Sequence, residues 1–406
     1  MLRDRAFRML FLGQVLTGFA SNALFLSLGV WAKDLTGSNA AAGLVFFCVT
    51  LPVLGGPLAG YAVDRFRRRS VLLGVNGCAV ALVLLLPLVR SSAQLWLLYV
   101  VASGYGIAAV FLRPAQAGLL KTLIRHEDLA AANAYLRSAG DAVRVISPML
   151  GVGIYALIGG PALAVAVAAL FLIAAAAFWL IRAGEAAATP QDPAESVARR
   201  IGAGLRHVWS QPHLVLMTVA IGLAFGVVGF FDSSDFAVVG EGLRRPASFL
   251  GVLAGIQGVG SVAGGMTAAV MIRKLGEMRT AGAGLLAMSL GALGMMHTAL
   301  GVVIGAFAIF GVGVPWLIVG YSTAWQRGTP GELVGRVAAA ADLSILGPQA
   351  VSIPIGATLI ELVPYRVLLT VCCAALFLAG TVLVSHRLAS TKATAAPSRP
   401  AGSSIR

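Results

Sequence analysis

Charged side chains are scarce in this sequence. Asp, Glu, Lys and Arg make up 11% of its 406 residues, whereas a soluble protein of this length carries about 25%. Hydrophobic residues make up 58%, and the mean hydropathy is +0.89. The scarcity of charge excludes a protein that faces water on all sides, so we expect a membrane protein.

Acidic residues are fewer than basic ones, and the formal net charge is +14. A nucleic-acid-binding protein gathers its basic residues on a polar face, but here they form short strings between apolar runs. The four cysteines lie inside apolar runs without metal-ligand spacing, which is typical of packing residues. The sequence also lacks a phosphate-binding loop and a nucleophile–base pair. We therefore expect no enzyme, no cofactor, no metal site and no nucleic-acid partner.

The apolar runs are long enough to cross a bilayer as helices, which takes roughly 20 residues each. They lack the alternation of transmembrane barrel strands. The predicted spans are residues 8–31, 41–63, 71–89, 94–117, 134–158, 162–181, 213–236, 248–271, 280–297, 300–324, 338–360 and 367–385. The predicted fold class is an all-α membrane protein with twelve transmembrane helices.

The distribution of Lys and Arg orients these spans, because cytoplasmic loops carry an excess of both residues. With the N-terminus inside, 22 of the 30 basic residues fall on the cytoplasmic side. Five fall on the other side: Lys33, Arg90, Arg244, Arg245 and Arg366. We predict a multi-pass protein of the cell (inner) membrane with both termini in the cytoplasm.

The chain divides at its longest connector. The predicted regions are a six-helix bundle at 1–181, a linker at 182–212, a second six-helix bundle at 213–389 and a disordered tail at 390–406. Within the linker, apolar residues from Val197 to Val208 recur at helical spacing opposite arginines, which predicts an amphipathic helix on the membrane surface. Weak similarities between the halves keep one offset, and such internal repeats are usual in secondary transporters.

The stretch GYAVDRFRRRS, residues 60–70, places an aspartate before four arginines between two apolar runs. Asp64 sits at a cytoplasmic helix end, where the dipole of its own helix is unfavourable. It therefore needs a partner, either the neighbouring arginines or the N-terminus of another helix. The alternative is a positive-inside anchor with an incidental aspartate.

This stretch resembles the loop between the second and third helices of the major facilitator superfamily, G-x-L-a-D-r-x-G-r-r. The matching residues are Gly60, Asp64, Arg65, Arg68 and Arg69. The resemblance implies two pseudo-symmetric six-helix bundles and a gating latch, in which Asp64 contacts the start of the eleventh helix near Val337. Asp342, just over one turn into that helix, is interpreted as a gate residue of the same latch.

Within the superfamily, the sequence resembles the drug:proton antiporters that include macrolide-efflux proteins and the enterobactin exporter. The stretches are LTGSNAAAGL at 35–44, DLAAANA at 128–134, RVISPMLG at 144–151 and LRHVWSQPHL at 205–214. Ser147, Pro148 and Gly151 also occupy the core of the family's antiporter motif. The resemblance implies proton-coupled export. RPAQAG at 113–118 imitates another motif of the superfamily, but we interpret Arg113 as an anchor near the cytoplasmic end.

Three charged residues, Arg137, Asp141 and Arg144, share one face of the fifth span with Pro148. A charge at a helix centre costs about 2.5–3.5 kcal/mol on insertion scales and usually faces the bundle interior. Asp141 can pair with one arginine, which leaves a positive charge for an acid, water or an anionic substrate. Arg144 is the first candidate for transport chemistry, and the alternative is a structural pair that joins this helix to its neighbours.

Asp232 and Asp235 close the outer end of the seventh span. Either is a candidate proton carrier, because desolvation favours the neutral carboxyl, and the alternative is a solvated helix end. The other polar candidates for the substrate or proton pathway are Gln14, Asn22, Gln257, Trp316 and Tyr321. Each of these has an alternative role as a helix-packing hydrogen bond.

These observations predict a monomeric secondary active transporter. It exports a small lipophilic compound, such as a drug or natural product, by alternating access, and proton entry drives the export. The apolar spans favour a lipophilic site over one with many hydrogen-bonding side chains. One alternative is an exporter or flippase for an anionic substrate, such as a siderophore, an organic acid or a lysophospholipid. The others are uptake, and a membrane sensor that does not transport.

Overall fold

The structure is a computed structural model that describes residues 4–55, 66–125, 128–181, 197–330 and 333–386. Within these ranges the chain is helical and contains no strand. The helices are α1 (Arg5–Thr36), α2 (Asn39–Thr50), α3 (Arg68–Val83), α4 (Leu95–Leu123), α5 (Leu129–Trp179), α6 (Val197–Trp209), α7 (Pro212–Ala237), α8 (Phe249–Leu275), α9 (Glu277–Gly294), α10 (Leu300–Gly328), α11 (Val334–Leu362) and α12 (Tyr365–Ser385). Three 3₁₀ turns, Leu51–Gly55, Leu86–Leu88 and Ser92–Gln94, and one π-helical turn, Val238–Gly242, complete the described helices.

The ends of α1 show how the sequence starts and stops a helix. The side chain of Asp4 accepts a hydrogen bond from the backbone N–H of Ala6 at 2.8 Å, which satisfies a donor that has no partner inside the helix. At the other end, Gly37 has a φ of 69°, the left-handed conformation that glycine adopts without strain. Ser38 then caps α2 by accepting from the backbone N–H of Ala41 at 3.1 Å.

α5 combines two predicted spans in one run. Gly159 interrupts its helical geometry with φ 83° and ψ 169°, and Pro161 follows. Proline is favoured at the start of a helix because its missing N–H would have no partner there. The interruption lies between the predicted spans at 134–158 and 162–181, so the division is confirmed, although the run begins earlier, at Leu129.

Nine helical segments of the described chain are long and apolar enough to cross a membrane. One of them, Tyr135–Trp179, has 45 residues, which is enough for two crossings. α2 has only 12 residues, and the rest of the predicted second span runs into residues 56–65, outside the described ranges. The helical membrane architecture is confirmed, whereas twelve spans in two six-helix bundles remain a prediction.

The amphipathic linker helix predicted from the sequence is present as α6. It packs against the second half of the chain, where Nε2 of His207 lies 3.1 Å from the carbonyl oxygen of Gly328. Val208, on its apolar face, is buried. The predicted disordered tail, residues 390–406, and the first part of the linker lie outside the described residues.

Buried apolar side chains form three clusters. Two lie in the first half, one around Leu98 and the other around Phe178. The third fills the second half and also includes Phe46 and Val152 of the first half. Because lipid is as apolar as these side chains, close packing rather than escape from water holds such helices together. The shared cluster therefore joins the two halves.

The halves meet at one end of the bundle, which we call the clasped end. It comprises residues 33–43, 233–246 and 357–366, and the basic end, opposite to it, comprises residues 4–8, 66–69 and 273–279. Ser38 Oγ donates to Glu361 Oε1 at 2.7 Å, and Asn39 Nδ2 donates to Glu241 Oε1 at 3.2 Å. Both bonds connect the start of α2 to the second half, so this end is closed.

Candidate functional site

A cavity of about 530 Å³ lies between α1, α4 and α5 of the first half. We call it the arginine cavity. Its polar lining consists of Gln14, Thr17, Ser21, Asn22, Tyr105, Arg113, Gln116, Arg137, Asp141 and Arg144. Three of these side chains are guanidinium groups and one is a carboxylate, so the lining has an excess of positive charge.

The charged stripe of α5 forms one wall of this cavity. Arg137, Asp141 and Arg144 all line it, and all three are solvent-exposed. Asp141 forms no ion pair with either arginine, although their spacing allows one, because an exposed pair gains little over two solvated charges. Pro148 lies further along α5, outside the cavity lining. Both guanidinium groups are therefore available to a solute.

α1 supplies a second wall, on which both predicted polar residues lie. Nε2 of Gln14 donates to Oε1 of Gln116 at 3.0 Å, and Nδ2 of Asn22 donates to the carbonyl oxygen of Gly18 at 2.7 Å. Oε1 of Gln14 is buried and has no hydrogen-bond partner among the described residues. The amide of Gln14 is thus held by Gln116 at the cavity wall, with its oxygen shielded from solvent.

Arg113 of α4 is a cavity residue that the sequence analysis interpreted as an anchor. The predicted span ended at residue 117, but α4 continues to Leu123, so Arg113 lies almost three turns inside the helix. Tyr105, Arg113 and Gln116 line the cavity together, and their spacing places them on one helix face. That periodic polar face is the signal that identifies Arg113 from the sequence.

The arginine cavity faces the second half of the chain through Arg113. The charge of this guanidinium interacts with the carboxylate of Asp342 on α11, but the two groups do not form a direct ion pair. Both side chains are exposed. Asp342, predicted to belong to a gating latch, therefore faces the substrate candidate residues of the opposite half.

Half of the predicted latch lies outside the described residues: Gly60, Asp64 and Arg65. Nη1 of Arg68 donates to the carbonyl oxygen of Gly118 at 3.3 Å, and Arg69 donates to two backbone carbonyls at the end of α5. These two arginines join α3 to its neighbours within the first half. The contact of Asp64 with the eleventh helix remains a prediction.

A second cavity, of about 150 Å³, lies where α1 and α2 meet α7, α8 and α10. We call it the acidic chamber. Its lining includes Asp232, Asp235, Gln257, Phe25, Phe46, Phe231, Phe307 and Phe310. The chamber combines two carboxyl groups and one amide with an aromatic wall from both halves.

Asp232 and Asp235 lie deeper than a solvated helix end would place them. α7 continues to Ala237 and then into a π-helical turn, and both aspartates are partly buried. Oδ1 of Asp235 is shielded from solvent without a hydrogen-bond partner in the described chain. No Lys or Arg of the described ranges forms an ion pair with either carboxyl group. These observations favour candidate proton carriers over a solvated helix end.

The two remaining candidates, Trp316 and Tyr321 of α10, line neither cavity. Nε1 of Trp316 donates to Oγ1 of Thr267 at 2.9 Å. The hydroxyl of Tyr321 lies 3.1 Å from Oγ1 of Thr218, and Tyr321 is 2% exposed. These contacts are the helix-packing hydrogen bonds that the sequence analysis kept as the alternative.

Comparison with known families decides the class of this protein. The sequence profile of the Major Facilitator Superfamily matches residues 10–347. The chain belongs to the major facilitator superfamily. This membership, together with the helical membrane architecture, makes it a membrane transporter of small molecules rather than an enzyme. A search of curated proteins finds no match.

Solved transporter structures share the fold at low sequence identity. A bacterial homologue of the iron transporter ferroportin, in its inward-facing state, is 19% identical with a TM-score of 0.70, over 94% of this chain and 98% of that one. A mutant of the nucleoside transporter NupG is 10% identical with a TM-score of 0.76, over 93% and 98%. An auto-inhibited POT family peptide transporter is 14% identical with a TM-score of 0.71, over 97% and 99%. At these identities the likeness shows the fold alone.

Proposed function

We propose that this member of the superfamily transports a small organic anion by alternating access, and that the arginine cavity binds it. The observation that carries the proposal is the charge of the lining, where three arginines oppose one carboxylate. A cationic side chain within a membrane span is costly. An anion that accepts charge-assisted hydrogen bonds from the guanidinium groups offsets that cost.

The polarity of the cavity wall favours this solute over the lipophilic compound expected from the apolar spans. Ten of the 17 lining residues are polar, and three of these ten carry guanidinium donors. A lipophilic ligand would strip water from these groups without replacing its hydrogen bonds, which costs about 1–3 kcal/mol for each group. The anionic substrate that the sequence analysis kept as an alternative therefore becomes the first proposal.

The conformation supports loading from the basic end. Two hydrogen bonds join the halves at the clasped end, whereas the charged side chains of α5 are exposed. If both termini are cytoplasmic, as the distribution of basic residues predicts, the exposed side faces the cytoplasm. An exporter loads its substrate there, so we propose a monomer that exports its substrate across the cell (inner) membrane.

Proton entry is the proposed driving force, and the acidic chamber is its proposed site. Asp232 and Asp235 have no cationic partner in the described chain, and their surroundings are mostly apolar. A carboxylate in apolar surroundings is neutralised most simply by a proton. The chamber is separate from the arginine cavity, so a proton and an anion can occupy the protein without sharing a site.

Exchange of radiolabelled organic anions in proteoliposomes tests the substrate class. We expect Arg144→Gln and Arg113→Gln each to raise the anion concentration that gives half-maximal exchange by about tenfold. The reason is that hydrogen bonds to charged groups contribute about 1.5–3 kcal/mol. Arg90→Gln is the matched control, since Arg90 is exposed and outside both cavities. Unchanged anion exchange in both cavity variants, or an equal loss in the control, would refute the proposal.

A lipophilic cation is the second candidate substrate, favoured by the five phenylalanines and two carboxyl groups of the acidic chamber. The same vesicles decide between the two. Transport of a lipophilic cation that is lost in Asp232→Asn and retained in Arg144→Gln would replace the anion with this candidate.

A further inference from the structure

A groove of about 550 Å³ lies on the surface where α5 of the first half packs against α8 of the second, near the clasped end. The helices approach closely there because α8 presents a glycine: a Cβ on Gly251 would lie 2.8 Å from Cβ of Val152. Neither the charged stripe of α5 nor the carboxyl groups of the acidic chamber line the groove. It is therefore a third site, separate from the proposed pathway.

The walls of the groove are apolar and face outward. Leu150, Leu157 and Val252 line it and are 43%, 86% and 42% exposed. They belong to helical segments that are apolar enough to cross a membrane, so their surroundings are acyl chains rather than water. An open apolar groove in that position fits a hydrocarbon chain.

A basic side chain lies in the same groove. Arg245 is exposed, and its guanidinium carbon lies 5.6 Å from the ring centroid of Phe249, which also lines the groove. Neither Arg245 nor the adjacent Arg244 forms an ion pair within the described ranges. Both lie in the connection between α7 and α8, where a chain in the membrane meets the lipid headgroups. A guanidinium group binds phosphate through paired hydrogen bonds.

We propose that this groove binds an anionic phospholipid, with its phosphate on Arg245 and one acyl chain between α5 and α8. The apolar wall of the groove favours an acyl chain, and the unpaired guanidinium of Arg245 favours a headgroup with negative charge. Because α5 and α8 belong to different halves, the bound lipid contacts both. It therefore stabilises the arrangement in which the clasped end is closed. The proposal does not depend on which solute is transported.

Native mass spectrometry of the full chain in detergent tests the headgroup. Phosphatidylglycerol and phosphatidylcholine with identical acyl chains are the probes, and we expect tighter binding of phosphatidylglycerol. Arg245→Gln should lower that affinity about fivefold. Arg366→Gln is the matched control, because Arg366 also lies at the clasped end, 5.7 Å from the ring centroid of Tyr365, outside the groove. The affinity of Arg366→Gln for phosphatidylglycerol should equal that of the wild type.

Gly153→Phe tests the acyl chain. Gly153 lines the groove, and a Cβ there would meet no atom within 4 Å, so a larger side chain can begin there without a clash. We expect weaker binding of both lipids, with thermal unfolding in lipid-free detergent as the check on folding. If Gly153→Phe fails to fold, the lipid affinity of Arg245→Gln alone tests the proposal.

Four results would overturn the proposal. The first is equal affinity of the wild type for the two lipids, and the second is unchanged binding of phosphatidylglycerol in Arg245→Gln. The third is that glycerol phosphate competes for the site as strongly as the whole lipid does. The fourth is that the wild type forms a dimer and Gly153→Phe dissociates it. The third result would assign Arg245 to free phosphate, and the fourth would assign the groove to a second copy of the chain.

Discussion

Replacing Glu361 and Glu241 with alanine, which has no side-chain acceptor, is expected to open the clasped end. Glu361 accepts a hydrogen bond from Ser38 at 2.7 Å, and Glu241 accepts one from Asn39 at 3.2 Å. Both carboxylates are exposed, so each bond contributes about 0.5–1 kcal/mol rather than the larger value of a buried charged bond. The pair then contributes about 1–2 kcal/mol, which lowers the ratio of closed to open protein by about five- to thirtyfold.

Pulsed electron paramagnetic resonance measures this ratio. Spin labels at Leu35 and Leu362, in a background without native cysteines, report the distance between the halves at the clasped end. The double variant should gain a population at longer distance. Glu277→Ala is the control, because Glu277 pairs with Arg327 inside the second half. A distance distribution identical to the wild type would refute the role of the two hydrogen bonds and leave closure to the apolar packing.

Three further predictions concern single residues. Gly159→Ala should lower the free energy of unfolding by about 1–3 kcal/mol, because φ is 83° there. Thermal unfolding checks this against Gly140→Ala, whose Cβ meets no atom within 4 Å, and equal stability would contradict it. Asp232→Asn should abolish accumulation driven by a pH gradient but retain exchange without a gradient, and persistent drive would remove the acidic chamber from the proton pathway. Tyr321→Phe should lower the free energy of unfolding by about 1 kcal/mol, because the hydrogen bond to Thr218 is lost. Substrate binding should be unchanged, and weaker binding would indicate that Tyr321 belongs to the substrate site.

Helix positions were largely predictable because a bilayer requires long apolar runs whose backbone groups are satisfied internally. The predicted amphipathic linker helix is found as α6, and the predicted gap between the fifth and sixth spans coincides with Gly159. Helix ends were less predictable. α4 continues past the predicted boundary at 117 to Leu123, because hydropathy marks where a helix leaves the hydrocarbon and not where its hydrogen bonds stop.

The candidate site was predictable only where its residues lie on one helix. Spacing alone places Arg137, Asp141 and Arg144 on one face of α5, and the cavity is on that face. Which helices oppose that face depends on packing between helices, so the place of Arg113 in the cavity lining was not predicted. Trp316 is the converse case, since it is polar at its tip but bonds to Thr267 of the neighbouring helix.

The two cavities differ in how they are built, and this difference bears on coupling. The arginine cavity is formed by α1, α4 and α5 of one half, so a rocking motion between the halves carries it as a unit. The acidic chamber takes its wall from both halves, so the same motion changes the surroundings of Asp232. The charge of Arg113 acts on Asp342 of the opposite half, and an anion bound as proposed would compete with Asp342 for Arg113. If the proposed roles hold, the anion and the proton therefore act on one equilibrium, the opening and closing of the halves, without contact between their sites.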